Sequence, residues 1–494
     1  PCSQKGQNRL MVTLLIVIAS LALALQAAIG LSFFISCIWE NEKRAGVLAG
    51  FQFLGMLALL VLFLIFASSG FFHTETGLFL MILGYVAGAA AAFFLLRKTG
   101  PNPLAMQGTK GRIQGEVKRF DEREQVFARN RTLKPGSEQY KRFYEEHPEY
   151  EAFDARRRER GGPIGPPGVI DKPHEEADVA MALASQNMCL YLSSPEKVNP
   201  EPHFLLTEKV KERKVVLSPK EASERVKGYV LHLGAALVGI TEINLLWVYS
   251  RRGEIFHQNW EDWGKEIEIP HKYAVVFAEE MDFRLVRTGP HTPTMMESMG
   301  NYAKGAYLST QLAGFIANLG HSAAASHLRH YDGLMVPWAV DAGLGEVGRL
   351  GYLITKELGP RVRLSAVTTD LPLVPDKPVD IGAEDFCKIC RKCSLCCPSG
   401  SIPKGDQRVV NGTLRWKLNA ETCFEYWGKV GTDCNVCMRV CPWSHARTFP
   451  HKIIVKMITR SKYARRIFSV MDDVFYGRKP KSKAPPEWAR FDGR

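Results

Sequence analysis

Three apolar runs open the chain, at roughly 11–38, 47–68 and 77–96, and almost no charge interrupts them. Each has the about 20 residues a helix needs to cross a hydrocarbon layer about 30 Å thick. The pattern therefore predicts three membrane-spanning helices rather than three buried core helices. From 99 to about 170 the chain becomes polar, charged and rich in Gly and Pro, with GGPIGPPG at 161–168, the composition of a linker and surface arm. Beyond about 175 the spacing alternates between helical and extended periods. VKGYVLHLGAALVGI reads as a helix running into a strand, and AYLSTQLAGFIANLG as a helix stopped by Gly320. RVRLSAVTTDLPLV alternates as a strand.

Length changes little: 494 residues accommodate a membrane segment and one large or two medium domains. The net charge of +13 suits nucleic acid or an anionic membrane surface. Apolar runs directly beside basic residues favour the membrane. Lys5 and Arg9 precede the first run, Lys43 and Arg44 occupy the first loop, and Arg97, Lys98, Lys110 and Arg112 follow the third. The loop from Ser68 to Thr76 has no Lys or Arg. This distribution predicts a multi-pass protein of the inner (cytoplasmic) membrane with its large domain facing the cytoplasm. No twin-arginine export signal is present, which points the same way.

Twelve cysteines are present, and nine lie between Cys387 and Cys441. Such clustering points to metal rather than disulfides; Cys2, Cys37 and Cys189 fall outside it and read as structural. Cys387-x2-Cys390-x2-Cys393-x3-Cys397-Pro398 is the bacterial ferredoxin run, whose fourth cysteine serves the other cluster. A second set follows, Cys423-x10-Cys434-x2-Cys437-x3-Cys441-Pro442. The exchange rule assigns Cys387, Cys390, Cys393 and Cys441 to one [4Fe–4S] cluster and Cys397, Cys423, Cys434 and Cys437 to the other, leaving Cys396 over. Zinc also takes CxxC pairs, but two CxxxCP endings favour iron–sulfur and hence electron transfer.

Gly343-x-Gly345-x-x-Gly348 matches a dinucleotide fingerprint. Pro337 lies shortly upstream, and Leu364 and Ser365 stand where the required acid would be, so a turn lying against another flat cofactor is the better reading.

VPWAVDAGLGEVGRLGYLITKELGPRVRL, TTDLPLVPDKP and the paired cysteine sets, in that order, resemble reductive dehalogenases over about residues 120–450. The resemblance implies an α/β (α+β) corrinoid-binding domain with a C-terminal bacterial-ferredoxin-like two-cluster module. It also implies a base-off corrinoid (cobalamin), and no His in an Asp-x-His-x-x-Gly arrangement contradicts that. By resemblance the turn of Gly343, Gly345 and Gly348, with Pro337 and Trp338, lies beside the corrinoid. Tyr302 would be the proton donor and Arg363 the cation stabilising its phenolate. The family usually has Asn or a basic residue before the Gly of DGL; here His330 stands there, with Arg329 and His327 as alternatives. Trp427 and Trp443 are candidate pocket walls. The N-terminus resembles the small three-helix anchor protein of the family, fused here to the enzyme. Glu40-Asn41-Glu42 matches that protein's Glu-x-Glu pair, a candidate quinol and proton site.

The expected organisation is a three-helix anchor (1–98), a linker and arm (99–175), the corrinoid-binding domain (176–380), the two-cluster module (381–450) and a C-terminal extension (451–494). The expected partners are a small organohalide, membrane lipid and a quinol or other electron donor, with no nucleic acid and with room for a homodimer. Two rivals stand beside this reading. An epoxyqueuosine-reductase-like enzyme acting on tRNA fits the charge but not the membrane spans. A non-catalytic two-cluster electron carrier fits the cysteines but leaves the large preceding domain without a role.

Overall fold

The protein was analysed as a computed structural model describing residues 2–160, 175–193, 212–254 and 262–490. It divides into two compact units, residues 1–100 with 445–480, and residues 101–444 with 481–494.

The first unit opens with α1 (Cys2–Trp39), α2 (Lys43–Ser68) and α3 (Glu75–Leu96). All three are long and apolar enough to span a membrane, matching the three runs read from the sequence. Only 11%, 6% and 6% of their most apolar windows are buried inside the protein. Leu14, Leu21, Leu54, Leu62, Leu83 and Val86 point outward, as lipid-facing residues do, because lipid rather than protein is their apolar solvent. A small interior of Val12, Phe72 and Met81 joins the helices. Thr74 caps α3 by accepting from Gly77 N.

The second unit begins with an arm that is folded rather than a plain linker: α4 (Val126–Thr132), α5 (Glu138–Glu146) and α6 (Pro148–Arg160). Arg129 and Asp154, both buried, are 2.8 Å apart, and Asp154 also accepts from the Tyr144 hydroxyl. Buried charges persist only when paired in this way. The GGPIGPPG stretch lies outside the described residues.

Then follow α7 (Glu176–Ser193), α8 (Pro219–His232), β1 (Leu237–Glu242), β2 (Tyr273–Glu280), α9 (Phe283–Val286), α10 (Thr292–Asn318), β3 (Ala323–Ser326), α11 (Met335–Asp341), β4 (Glu346–Val347), β5 (Leu353–Ile354) and β6 (Val362–Thr369). Helix α8 starts where its sequence dictates, with a Ser218/Glu221 capping box and Pro219 in the first turn. Helix α10 ends before Gly320, which takes φ +85°. The main sheet has order β1-β2-β6-β3, and every pair is antiparallel. The domain is therefore the α+β member of the expected pair. All eight residues of β6 are buried: its alternation separates two covered faces rather than core from solvent. Val275, Phe277 and Val367 meet α8 and α10 on one face. Ala274, Val276, Ala278 and Ala366 meet Trp338 and Trp247 on the other.

The cysteine region comprises α12 (Ala383–Cys390), α13 (Lys392–Cys396), the hairpin β7 (Arg408–Val410) and β8 (Thr413–Arg415), α14 (Ala420–Val430) and α15 (Val436–Arg439). Glu421 of α14 receives Arg129 at 2.7 Å, fastening the arm to this region. Finally α16 (Phe449–Ile458) and α17 (Lys462–Tyr476) return to the first unit. The C-terminal segment is thus two things: residues 445–480 complete the membrane unit, and 481–494 rejoin the second.

Candidate functional site

Strand pairing and helix packing build the centre of the second unit. On β6, Arg363 stands directly opposite Glu279 of β2. Residues 363, 365 and 367 share the face covered by α10. Arg363 is 8% exposed. Its Nη2 donates to Ser298 Oγ at 2.7 Å and to Asp433 Oδ2 at 3.2 Å. Its guanidinium carbon lies 5.0 Å from the centroid of the half-buried Tyr302 ring on α10, within cation–π range. Burial opposes its charge, but Tyr302 and Asp433 outweigh that and hold Arg363 above the ordinary arginine range. The two residues expected to act together are thus neighbours.

His330 is placed differently. The turn His327–His330 closes with His330 N donating to His327 O at 2.8 Å. Leu328, inside this turn, packs against the same two buried clusters as Tyr302. Desolvation lowers the His330 imidazole pKa, and the charges around it are Asp332, Arg252 and Asp262. Arg329 binds Glu254 at 3.0 Å and Gln186 at 2.7 Å. His327 is buried and pushed down to about 4 by desolvation.

The cysteines gather around two cavities. One is lined by Cys387, Cys390, Cys393 and Cys441, with Arg349 and Trp443. The other is lined by Cys397, Cys423, Cys434 and Cys437, with Tyr352 and Trp427. These are the two sets that the exchange rule assigns. Cys396 lines neither. Burial pushes Cys387, Cys393, Cys423 and Cys434 up to about 12. Four buried thiols around one cavity become thiolates only beside a bound cation, which is what iron supplies. Both tryptophans wall these cavities.

The glycine turn serves the first cavity. A Cβ on Gly348 would stand 3.7 Å from Cys387 Sγ, and one on Gly345 would strike the Ile354 carbonyl. Gly343 takes φ +76° against Lys377 O. Between these glycines Glu346 accepts from Ile381 N and Ala383 N at 2.8 and 2.9 Å, holding the start of α12. Trp338 is fully buried, and its Nε1 has no hydrogen-bond partner among the described residues; Pro337 is half-buried in the same helix.

Sequence reasoning passed over Tyr331, Tyr352, Asp433 and Glu279. The Tyr331 hydroxyl donates to Leu364 O at 3.0 Å. Tyr331 is pushed well up, first by burial, then by Tyr302 and Glu279. Tyr352 is pushed up by burial, then by Cys423 and Cys437, and it also feels Arg363 and Tyr302. It also lines the second cavity. Asp433, next to Cys434, was the one signal available in the sequence.

The first unit has a polar cluster of its own. Glu40, 1% exposed, ends α1 with Oε1 3.4 Å from His451 Nδ1. His451 Nε2 lies 2.9 Å from the Tyr476 hydroxyl, and His445 Nε2 2.6 Å from Asp472 Oδ1. Burial, then His445, push His451 down to about 3, so its imidazole is neutral. Glu40, His445 and His451 each bring a ligand atom within 4.8 Å of the others. The two rings stack, with centroids 4.9 Å apart and planes 16° from parallel. Imidazole lone pairs lie in the ring plane, so stacked rings do not converge on one ion, and a hydrogen-bonding role suits them better. Glu42 occupies the N-cap position of α2 without a side-chain cap bond.

Comparison with known proteins agrees with the geometry. No family model matches the chain. Tetrachloroethene reductive dehalogenase of Dehalobacter restrictus is 35% identical over 282 residues, covering 48% of this chain and 50% of that protein. The enzyme of the same description from Sulfurospirillum multivorans is 31% identical over 292 residues, covering 53% and 58%. The chain spans about half the length of the curated relatives it matches. A solved reductive dehalogenase, described with a mechanism for B12-dependent dehalogenation, shares the fold at TM-score 0.59 and 24% identity, covering 78% of this chain and 49% of that one. Over about half of its length this chain is similar in sequence to reductive dehalogenases, and it shares the fold of a solved one. Those relatives are described as reductive dehalogenases, and in this chain three apolar helices open the sequence.

Proposed function

We propose that this chain is a membrane-bound reductive dehalogenase that replaces halogen by hydrogen on a small organohalide. The observation that carries the reading is Tyr302 set against buried Arg363, which bonds Asp433 in the lining of the second cysteine cavity. The two cysteine sets would hold two [4Fe–4S] clusters, and their eight buried or half-buried thiols fit that ligand count. A base-off corrinoid also fits: Trp338 Nε1 is a buried donor in need of an acceptor, and Gly343, Gly345 and Gly348 with Pro337 would border it. When bound, such a corrinoid supplies the low-valent cobalt chemistry that breaks a carbon–halogen bond. Tyr302 gives the proton from its hydroxyl to the carbon, and Arg363 stabilises the phenolate left behind. Asp433 and Ser298 fix the guanidinium in place. His330 would act through the His327–His330 turn, whose Leu328 packs on the same buried cluster as Tyr302.

The electron donor would be a quinol at the membrane, with protons received by Glu40 and its neighbours. The structure changes the partners of Glu40: His451, His445, Tyr476 and Asp472 surround it, whereas Glu42 stands at the helix start. The segment bearing His445 begins four residues after Cys441, so the sequence ties the last cluster ligand to this group. If Glu40→Gln with Glu42→Gln left quinol-driven turnover unchanged, the quinol reading would be wrong.

The decisive experiment is metal analysis with an absorption spectrum on detergent-purified protein made with corrinoid supplied. The reading expects about one cobalt and about eight irons per chain, and dehalogenation driven by a reduced viologen. Eight irons without cobalt would leave an electron carrier. With full metal content, Tyr302→Phe is expected to lower dehalogenation at least about 100-fold.

A further inference from the structure

Beneath the Tyr302–Arg363 pair lies a carboxyl group to which the mechanism so far gives no task. Glu279, the penultimate residue of β2, is 0% exposed. Neither of its oxygens has a hydrogen-bond partner among the described residues. It projects to the α10 face, directly across the strand pair from Arg363. There Gly305 of α10 leaves it room: a Cβ on Gly305 would come within 3.1 Å of Glu279 Oε1 and would strike Ser365 Oγ. Burying a charged carboxylate without hydrogen bonds is costly, so such a group keeps its proton. Burial accordingly pushes Glu279 well above the ordinary carboxylate range, against the opposing pull of Lys304 and Arg363. The groups that face it are Lys304 on α10, Arg363 on β6 and Tyr331 on the loop after β3.

We propose that Glu279, cross-strand partner of Arg363 and packed at Gly305 one helical turn after Tyr302, stores the proton that returns to Tyr302 after each turnover. This rests on the reading of Tyr302 as donor. In the first step the Tyr302 O–H bond breaks and a C–H bond forms as halide leaves; the two electrons that balance this exchange are those that clusters held by the two cysteine sets would supply. In the second, the Glu279 carboxyl gives its proton to the phenolate, and Arg363 then faces a carboxylate in place of a phenolate. A proton from solvent restores Glu279 before the next substrate. Charge beside Arg363 is conserved through the transfer, which is what an arginine between two acids allows. Glu279 touches no substrate; it acts through Tyr302.

The test is Glu279→Gln in the metal-loaded enzyme, assayed in two regimes. Tyr302 is already protonated before a first turnover, so single-turnover halide release is expected at the wild-type rate. Steady-state kcat is expected to fall on the order of 100-fold, with partial rescue by small weak acids in the buffer. Equal rates in both regimes, whether both unchanged or both reduced alike, overturn the proposal, the second outcome marking a purely structural residue. Tyr302→Phe separates the two readings: if its single turnover is unimpaired, the donor assignment itself fails. Should Glu279→Gln not fold, Lys304→Met, a change at an exposed neighbour, serves instead. Infrared titration of the protonated carboxyl band should then move to higher pH than in the wild type, and an unmoved titration overturns the proposal.

Discussion

The two cysteine cavities share a ligand pattern but differ in their electrostatic surroundings. The first contains a cation: Arg349, fully buried, donates from Nε to Cys387 O at 3.1 Å and feels the Cys387 and Cys393 sulfurs. The second contains an anion and a phenol: Asp433 and Tyr352 line it. Cluster potentials follow net charge and hydrogen bonding around the sulfurs, so two clusters held in these cavities, as proposed, would differ in potential. Asp433 also accepts from Arg363, so a residue lining the second cavity is bonded to the proposed partner of Tyr302.

The largest test of this asymmetry is ligand removal. Cys434→Ser is expected to lose about half of the iron and essentially all dehalogenation. Cys387→Ser should lose a similar share of iron yet retain reduced-viologen activity, if the dye reaches the second site directly. Equal activity losses in the two variants would erase the distinction. Next, Arg349→Met removes the cation, and the potential of the first cluster alone should fall in a redox titration followed by electron paramagnetic resonance. A matching fall in both signals would contradict the separate environments. A stability effect lies outside both cavities. Burial raises Glu122 from 4.5 to about 7 despite Arg252 nearby. The folded state therefore holds a proton there that the unfolded state has lost, and stability falls as pH rises from 4.5 to about 7. Glu122→Gln should become more stable than the wild type by on the order of 3 kcal/mol above that window, read by denaturant unfolding at pH 5 and pH 8. The smallest effect belongs to Cys396→Ser, for which iron content and turnover should both be unchanged.

Legibility in the sequence followed the range of the forces involved. The three spans, the α8–β1 junction and the end of α10 are local matters of period, capping and glycine, and all are where the pattern placed them. The cysteine sets were legible because ligand spacing is covalent arithmetic. Sheet order was not, since β6 finds β2 and β3 through pairings that no local period encodes. Gly343, Gly345 and Gly348 matched a cofactor fingerprint, yet their immediate neighbours are Lys377, Ile354 and Cys387, contacts visible only after folding. Glu279 looked like the polar end of a strand, because its burial depends on Gly305 from another helix. His445 and His451 carried no motif, and their meaning comes only from Glu40, some four hundred residues away.

That last separation bears on synthesis of the protein. The membrane unit is assembled from both ends of the chain, so α1 to α3 are made long before their completing hairpin. At ordinary elongation speeds of about 5–20 residues per second, the delay is on the order of a minute. Throughout that interval Glu40, in the turn between α1 and α2, has none of its histidine neighbours. A chain truncated before His445 would leave it so permanently, its membrane unit lacking residues 445–480.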